Sequence, residues 1–166
     1  MRTRPGRTTL IAVFFRKKKP FDRPAPPAEV ALAAIGHVAN EVERPRPRGW
    51  EKVESRIDVL PGMARRLEGI EAFSHVIVVF YMDLAENAPE KPETLALESG
   101  RDYGIFATRS QLRPNHLGVS AVPLLRHEGA SISVRGLDAI NGTPVLDIKP
   151  YLPDYDACPD ATIPPG

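Results

Sequence analysis

Between residues 106 and 120 the chain reads Phe106-Ala107-Thr108-Arg109-Ser110-Gln111-Leu112-Arg113-Pro114-Asn115-His116-Leu117-Gly118-Val119-Ser120. From Thr108 to Ser120, thirteen residues hold two arginines, an asparagine, a histidine and three hydroxyls. Guanidinium and carboxamide groups are planar multi-donor groups suited to carboxylates, phosphates and nucleobase edges. Pro114 stiffens the turn, and Gly118 lets a backbone approach closely or take a positive φ. A polar hairpin loop whose arginines pair with surface acids would use the same residue types, so composition leaves both readings open.

A second segment reads Val134-Arg135-Gly136-Leu137-Asp138-Ala139-Ile140-Asn141-Gly142-Thr143-Pro144-Val145-Leu146-Asp147-Ile148-Lys149-Pro150-Tyr151. Asn141-Gly142 predicts a turn, and the apolar runs on either side predict a strand pair. Asp147, between Leu146 and Ile148, is either a paired core charge or a group facing a ligand. Lys149-Pro150-Tyr151 adds polar functionality at the strand's end.

The motifs that are missing narrow the chemistry. No two glycines are spaced G-x-G, which removes the dinucleotide fingerprint and the glycine loop of Rossmann methyltransferases. There is no phosphate-binding G-x-x-x-x-G-K-[ST], no H-E-x-x-H, no C-x-x-C and no G-x-S-x-G. His37, His75, His116 and His127 have no metal-ligand spacing, so no metal site is expected. A single cysteine, Cys158, allows no internal disulfide and fits a reducing compartment.

The elements that must position these groups read mainly as strands. Residues 35–38 and 53–59 are the first two; in the second, Val53, Ser55, Ile57 and Val59 form one face and Glu54, Arg56 and Asp58 the other. Residues 63–67 predict one or two turns of helix. FSHVIVVFYM, residues 73–82, predicts a central strand buried on both faces. Residues 85–102, with Pro89 and Pro92, predict a long loop with at most a short helix. Residues 103–108, 117–126, 131–135 and 143–148 complete the strand set. Few short helices and no βαβ alternation point to a mainly β protein, an antiparallel barrel or strongly curved sheet.

At this point the chain resembles a known family. FATRS-x-x-RPN-x-hydrophobic-G-x-S followed by GLDA-x-x-GTPVLDIKPY resembles the signature of the TrmO family, also called TsaA-like or YaeB-like proteins. Ile35-Gly36-His37-Val38 and Leu67-Glu68-Gly69-Ile70-Glu71-Ala72-Phe73-Ser74-His75 look like its other blocks, so the resemblance runs from Ile35 to Tyr155. It implies a single β-barrel methyltransferase domain, not a Rossmann fold, that uses S-adenosyl-L-methionine and is a cytoplasmic homodimer. The implied reaction is N6-methylation of threonylcarbamoyl-adenosine at position 37 of tRNA, in the anticodon loop. The family commonly has proline at the positions of Gln111 and His116. Its bacterial tRNA-acting members share a C-terminal extension, whereas this sequence ends soon after the barrel motifs. The cofactor is therefore the nearer expectation and tRNA the further one.

On that resemblance, the backbone around Phe106, Ala107, Thr108, Leu117 and Gly118 meets adenine and ribose. Arg109 or Arg113 holds a carboxylate, Asn115 reads an amide or base edge, and Asp147 and Tyr151 complete the cofactor set, with Asp147 favouring the sulfonium or amino charge. Arg113, Asn115 and His75 are the catalytic candidates. His116 shares with His75 the candidacy for proton acceptor, and His75 reads equally as a core histidine. Trp50 is either a loop anchor or a stacking platform for a base. Two competing readings keep the cofactor: methylation of a small molecule or protein, and a binding module without turnover.

The formal net charge of +1 hides a division. Residues 1–28 hold eight basic side chains and one acid, while the other 138 residues hold fourteen bases and twenty acids. This basic arm precedes a domain expected over residues 29–158 and a tail over 159–166. Its apolar residues 10–15 are too few for a secretory signal, and no apolar run approaches the ~20 residues of a membrane span. Five prolines and a cationic run favour an extension without order of its own; an electrostatic arm for phosphates and an added edge strand at residues 10–15 are the alternatives. Deleting residues 1–28 is expected to weaken tRNA binding and flatten its salt dependence while sparing cofactor binding. Unchanged tRNA affinity on truncation, measured by filter binding, makes the arm a bystander.

Overall fold

The computed structural model describes residues 24–88, 91–96 and 100–163. Most of the basic arm, including residues 10–15, lies outside the described residues. One compact unit ends at Ala31, and a second, from Leu32 on, contains every strand.

Six strands close into an antiparallel barrel in the order β1-β2-β7-β6-β3-β8. They are β1 (Gly36–Ala39), β2 (Glu54–Val59), β3 (His75–Tyr81), β6 (Leu117–Glu128), β7 (Ser131–Arg135) and β8 (Pro144–Pro150). β4 (Thr94–Ala96) and β5 (Asp102–Gly104) form a separate two-stranded sheet. Helices are short: 3-10 turns at Trp50–Lys52, Pro61–Leu67, Ile70–Ala72, Asp83–Asn87 and Ile105–Ala107, and one α-helical turn at Pro153–Asp156. The mainly β, non-Rossmann expectation holds.

Period-2 patterning explains the interior. Ser55, Ile57 and Val59 on β2, and Val76, Val78 and Phe80 on β3, are buried with Val38, Val122, Ile132, Val134 and Val145. Ser55 is the polar member of this set, and Asn40 Nδ2 satisfies it by donating to Ser55 Oγ at 2.9 Å. β8 closes the ring by pairing with β1 on one side and β3 on the other.

Several expectations change. β3 is not buried on both faces: Val76, Val78 and Phe80 enter the core while His75 is exposed and Ile77, Val79 and Tyr81 are half-buried. The outward face of this barrel strand carries no helical layer among the described residues. The loop expected over residues 85–102 contains β4, and the strand expected over 103–108 gives way after Gly104 to a 3-10 turn. Asn141-Gly142 does form a turn, with Gly142 at φ +83°, but the flanking strands are not neighbours. β8 crosses to β1 and β3 instead of pairing with β7.

Three long connections leave one rim. Glu54 faces Arg135, Tyr81 faces Leu117, and His37 faces Pro144. The connections 40–53, 82–116 and 136–143 therefore gather at the same end. The other end holds the turn at Gly129, the 3-10 segments over residues 61–72, and His75.

On the barrel wall, Asp58 accepts hydrogen bonds from Arg56 Nε at 2.7 Å, Arg56 Nη2 at 2.9 Å and Ser131 Oγ at 2.6 Å. The Arg56 hydrogen bond, helped by Ser131, outweighs partial burial and holds the Asp58 carboxyl below its ordinary value. A group depressed in the folded state adds stability above its unfolded pKa and loses it as pH falls through the folded value. Asp58→Asn is therefore expected to cost up to about 1 kcal/mol near pH 7. In thermal melts the gap to the parent should close as pH falls below the ordinary aspartate value of 3.8.

Candidate active site

β6 has twelve residues and β7 five, and their pairing starts only at Leu124. Residues 117–123 are thus paired to β3 along one edge and, among the described residues, to no strand along the other. Two side chains from the rim connections reach that stretch of β6. Arg109 Nη2 donates to the Val119 carbonyl at 2.8 Å, and Ser120 Oγ donates a short hydrogen bond to Asp138.

Three contiguous cavities meet there. The first, about 500 Å³, has apolar walls from Trp50, Phe80, Met82, Leu84, Leu95 and Ile140 and polar groups from Asp83, Thr108, Ser110 and Asp138. The second, about 520 Å³, runs past Ile77, Val119, Ala121 and Tyr151 on the outside of the barrel. The third, about 90 Å³, lies against Arg113, Leu117 and Gly118. Arg109 and Asp138 line all three. They form no ion pair with each other, so a guanidinium with one of its five donors engaged and a carboxylate share one cleft. That pairing suits a ligand carrying both charges.

The loop 108–116 holds its own shape. Thr108 Oγ1 donates to Ile105 O at 2.8 Å and accepts from Ser110 N at 3.2 Å, and Leu112 N donates to Ser110 Oγ at 3.1 Å. Arg113 spends Nη2 on Thr108 O at 2.6 Å and Nε on Ser110 O at 3.1 Å. Its guanidinium is thus a brace within the loop. His116, 3 % exposed, has φ +48° and puts Nδ1 3.0 Å from Gln111 O. A carbonyl only accepts, so Nδ1 carries the hydrogen, and Nε2 is buried with no partner among the described residues. Tyr81 packs against the ring in a T-shaped contact, centroids 6.1 Å apart. Burial first, and the Glu86 carboxylate beside it, push the Tyr81 phenol above its ordinary range.

Among the candidates read from the sequence, Thr108, Arg109, Arg113, Leu117 and Gly118 line these cavities, and Tyr151 lines the second. Asn115 is exposed and lines none of them. Phe106, 80 % exposed, and Ala107 project from the 3-10 turn that precedes the loop. His75 sits at the far end of β3, its Nδ1 2.9 Å from Ser74 Oγ and its ring 6.3 Å from that of Tyr151. Asp147 pairs with Lys149 at 2.5 Å and lines an apolar hollow with Met63, Leu67 and Ile70 at the rim opposite the cleft. Asp147 is paired with Val79 on β3, where the register of the two strands shifts. Sequence reasoning passed over Asp83 and Asp138. Asp138 stood inside the GLDA motif, and its signal was an acid followed by a turn in the segment that returns beside the arginine loop.

The chain matches the family described as the tRNA-methyltransferase O N-terminal domain over residues 37–157. This protein belongs to the TrmO family. A crystal structure of TrmO from Pseudomonas aeruginosa superposes with a TM-score of 0.65 at 32% identity, covering 81% of this chain and 61% of that one. A probable S-adenosyl-L-methionine-binding protein of Pyrococcus abyssi is 38% identical over 135 residues, 78% of this chain and 72% of the relative. A tRNA (adenine(37)-N6)-methyltransferase of Homo sapiens is 43% identical over 95 residues, 55% of this chain but 21% of the relative. The chain thus spans less than two thirds of the solved TrmO chain. The Arg109 loop and the Asp138 segment both lie inside the matched TrmO region.

One TrmO-motif residue has a steric duty here. A Cβ on Gly118 would lie 2.2 Å from the Phe80 ring, which fills the barrel and floors the cleft. Gly118→Ala is expected to destabilise the fold by about 1–3 kcal/mol through overpacking, read as a lower urea midpoint.

Proposed function

We propose that this protein is an S-adenosyl-L-methionine-dependent methyltransferase that acts on N6 of the adenosine at position 37 of tRNA, with threonylcarbamoyl-adenosine as the form methylated. The observation that carries the reading is the presence of Arg109 and Asp138, one from each family motif, on the walls of one cleft. The chemistry of the donor set fits the cofactor, which has a carboxylate, cationic amino and sulfonium groups, and an adenine. Arg109 matches the carboxylate, Asp138 and Asp83 match the positive groups, and Trp50, Phe80, Met82 and Leu95 match an aromatic base.

S-adenosyl-L-methionine supplies an electrophilic methyl group to such a site. The residues supply orientation and charge. The self-bonded loop 108–116 fixes Arg109 on Val119 O, so little is reorganised when a carboxylate binds. The acceptor nitrogen is weakly basic and must lose a proton, and the cleft offers the carboxylates of Asp83 and Asp138 as acceptors. His116 Nε2 is sealed in the loop and His75 stands at the opposite rim, so neither borders the cleft. Support for tRNA as acceptor comes from the family description and from the relatives that carry that name. On the same reading the protein is a cytoplasmic homodimer, and exposed Val119 and half-buried Ile77 offer apolar surface beside the site. Among the described residues no helix is long and apolar enough to cross a membrane.

Calorimetry is expected to show cofactor binding by the parent, roughly 10–100-fold weaker for Arg109→Ala and Asp138→Asn, with both variants folded and stability lowered by no more than one lost edge hydrogen bond, about 1 kcal/mol. Nucleoside mass spectrometry of tRNA incubated with protein and labelled cofactor should show a methylated adenosine at position 37. Parent protein that binds no cofactor removes the reading. Binding with methyl transfer only to a small molecule or protein, or with no transfer at all, replaces the acceptor.

A further inference from the structure

The second cavity, about 520 Å³, opens where two strands part. β6 is paired with β7 only from Leu124 onward, and the chain that leaves β7 continues through Gly136 and Asp138, which line the cavity. Ile77, opposite Ala121 in the β3–β6 register, lines it too, and the segment after β8 supplies Tyr151 and Asp156. Ile77, Ala121, Tyr151 and Asp156 border neither the first cavity nor the third.

Its walls suit a flat group with an amide-like edge. The Val119 carbonyl turns away from β3 to meet Arg109, and alternation along the strand turns the N–H and C=O of Ala121 to the same side. Among the described residues no strand lies there to take them. One residue thus offers a donor and an acceptor side by side, the complement of an amide or urea. Tyr151 is fixed by its main-chain N–H, which donates to His75 O at 3.0 Å, while its hydroxyl makes no hydrogen bond among the described residues. Ile77, Val119 and Ala121 add apolar surface on which a base can lie.

Position points the same way. On the reading above, the cofactor's adenine lies in the first cavity and its charged end meets Arg109 and Asp138. A transferred methyl sits in line between its leaving sulfur and the acceptor nitrogen, with reacting atoms about 3–3.5 Å apart. The acceptor must therefore enter from a space that shares Arg109 and Asp138 with the first cavity. The third cavity shares Arg109 and Asp138, but its 90 Å³ holds about three waters. The second has room for a purine and its substituent.

We propose that the second cavity receives the acceptor, a purine whose N6 carries a urea. The base lies on Ile77, Val119 and Ala121, N6 turns to Asp138, and the urea meets the Ala121 main chain. Tyr151 then selects the acceptor through its hydroxyl and is not part of the cofactor's set. The carboxylates of Asp138 and Asp156 repel an anion, so the amino-acid end of a threonylcarbamoyl group points out to solvent. This rests on the methyltransferase reading above and adds where its acceptor binds.

The test uses the full-length protein with S-adenosyl-L-homocysteine, so that binding is read without turnover. The acceptor probe is an anticodon stem-loop carrying threonylcarbamoyl-adenosine at position 37. Ala121→Phe, at an exposed position, fills the cavity, and Tyr151→Phe removes only the hydroxyl. Stem-loop affinity is expected to fall about tenfold or more for Ala121→Phe and about three- to tenfold for Tyr151→Phe. S-adenosyl-L-homocysteine affinity and thermal midpoint should stay at the parent's values. A parallel fall in affinity for S-adenosyl-L-homocysteine overturns the proposal, because the cavity would then hold the cofactor. Dissociation of a parent dimer by Ala121→Phe, seen by light scattering, overturns it as well and makes the cavity a contact between copies. If the parent methylates position 37 and both variants keep its stem-loop affinity, the proposal fails while the function stands. A parent that methylates a free N6-ureido adenosine but not tRNA, with the same losses of affinity for that nucleoside in the variants, keeps the cavity and removes the tRNA assignment. A parent that binds neither acceptor removes both.

Discussion

A five-residue strand lies beside a twelve-residue strand, and the barrel cannot satisfy the difference with backbone alone. Beyond Leu124 towards its N-terminus, β6 has a free edge whose carbonyls need donors. Arg109 meets that need at the Val119 carbonyl, and the Ser120 hydroxyl holds Asp138 beside it, so two charged side chains from distant segments are fixed at one place. The interior offers no alternative. A six-stranded ring is narrow enough for Ile57, Val78, Phe80, Val134 and Val145 to fill it. Chemistry is thereby confined to the rim, where three connections converge.

The rim segments differ in how they spend their polar groups. Loop 108–116 turns Thr108, Ser110 and Arg113 inward on its own backbone, which gives rigidity at the expense of free donors. The 40–53 connection does the same with Arg46 and Trp50. What faces the cleft is a small set of charged groups: Arg109, Asp83 and Asp138. A site of mixed charge with apolar walls follows from this division, although the body's average charge is negative.

The fold was legible where side chains alternate. Ser55, Ile57 and Val59 face inward as their spacing requires, and the strand at 131–135 has the expected bounds. Topology was less legible, because Asn141-Gly142 signals a turn without saying which strands it joins. The site divided along the same line. Residue type pointed to the arginine loop, but type does not reveal whether a guanidinium faces a ligand or its own loop carbonyls, which is what separates Arg109 from Arg113. Asp147 pairs with Lys149 at the rim opposite the cleft, an arrangement that residue type and spacing do not reveal. Asp138 was overlooked because its importance depends on the unpaired edge of β6, a property of two strand lengths and their register.

The left-handed backbone at His116 limits what this position of the loop can hold. Proline, locked near φ −65°, cannot take the +48° found here, and β-branched side chains are strained there. The imidazole reaches Gln111 through the main-chain carbonyl, which every residue type supplies, so the side chain at position 111 can change without loosening the turn. Position 116 has no such freedom, because its own ring closes the loop and its own backbone sets the bend.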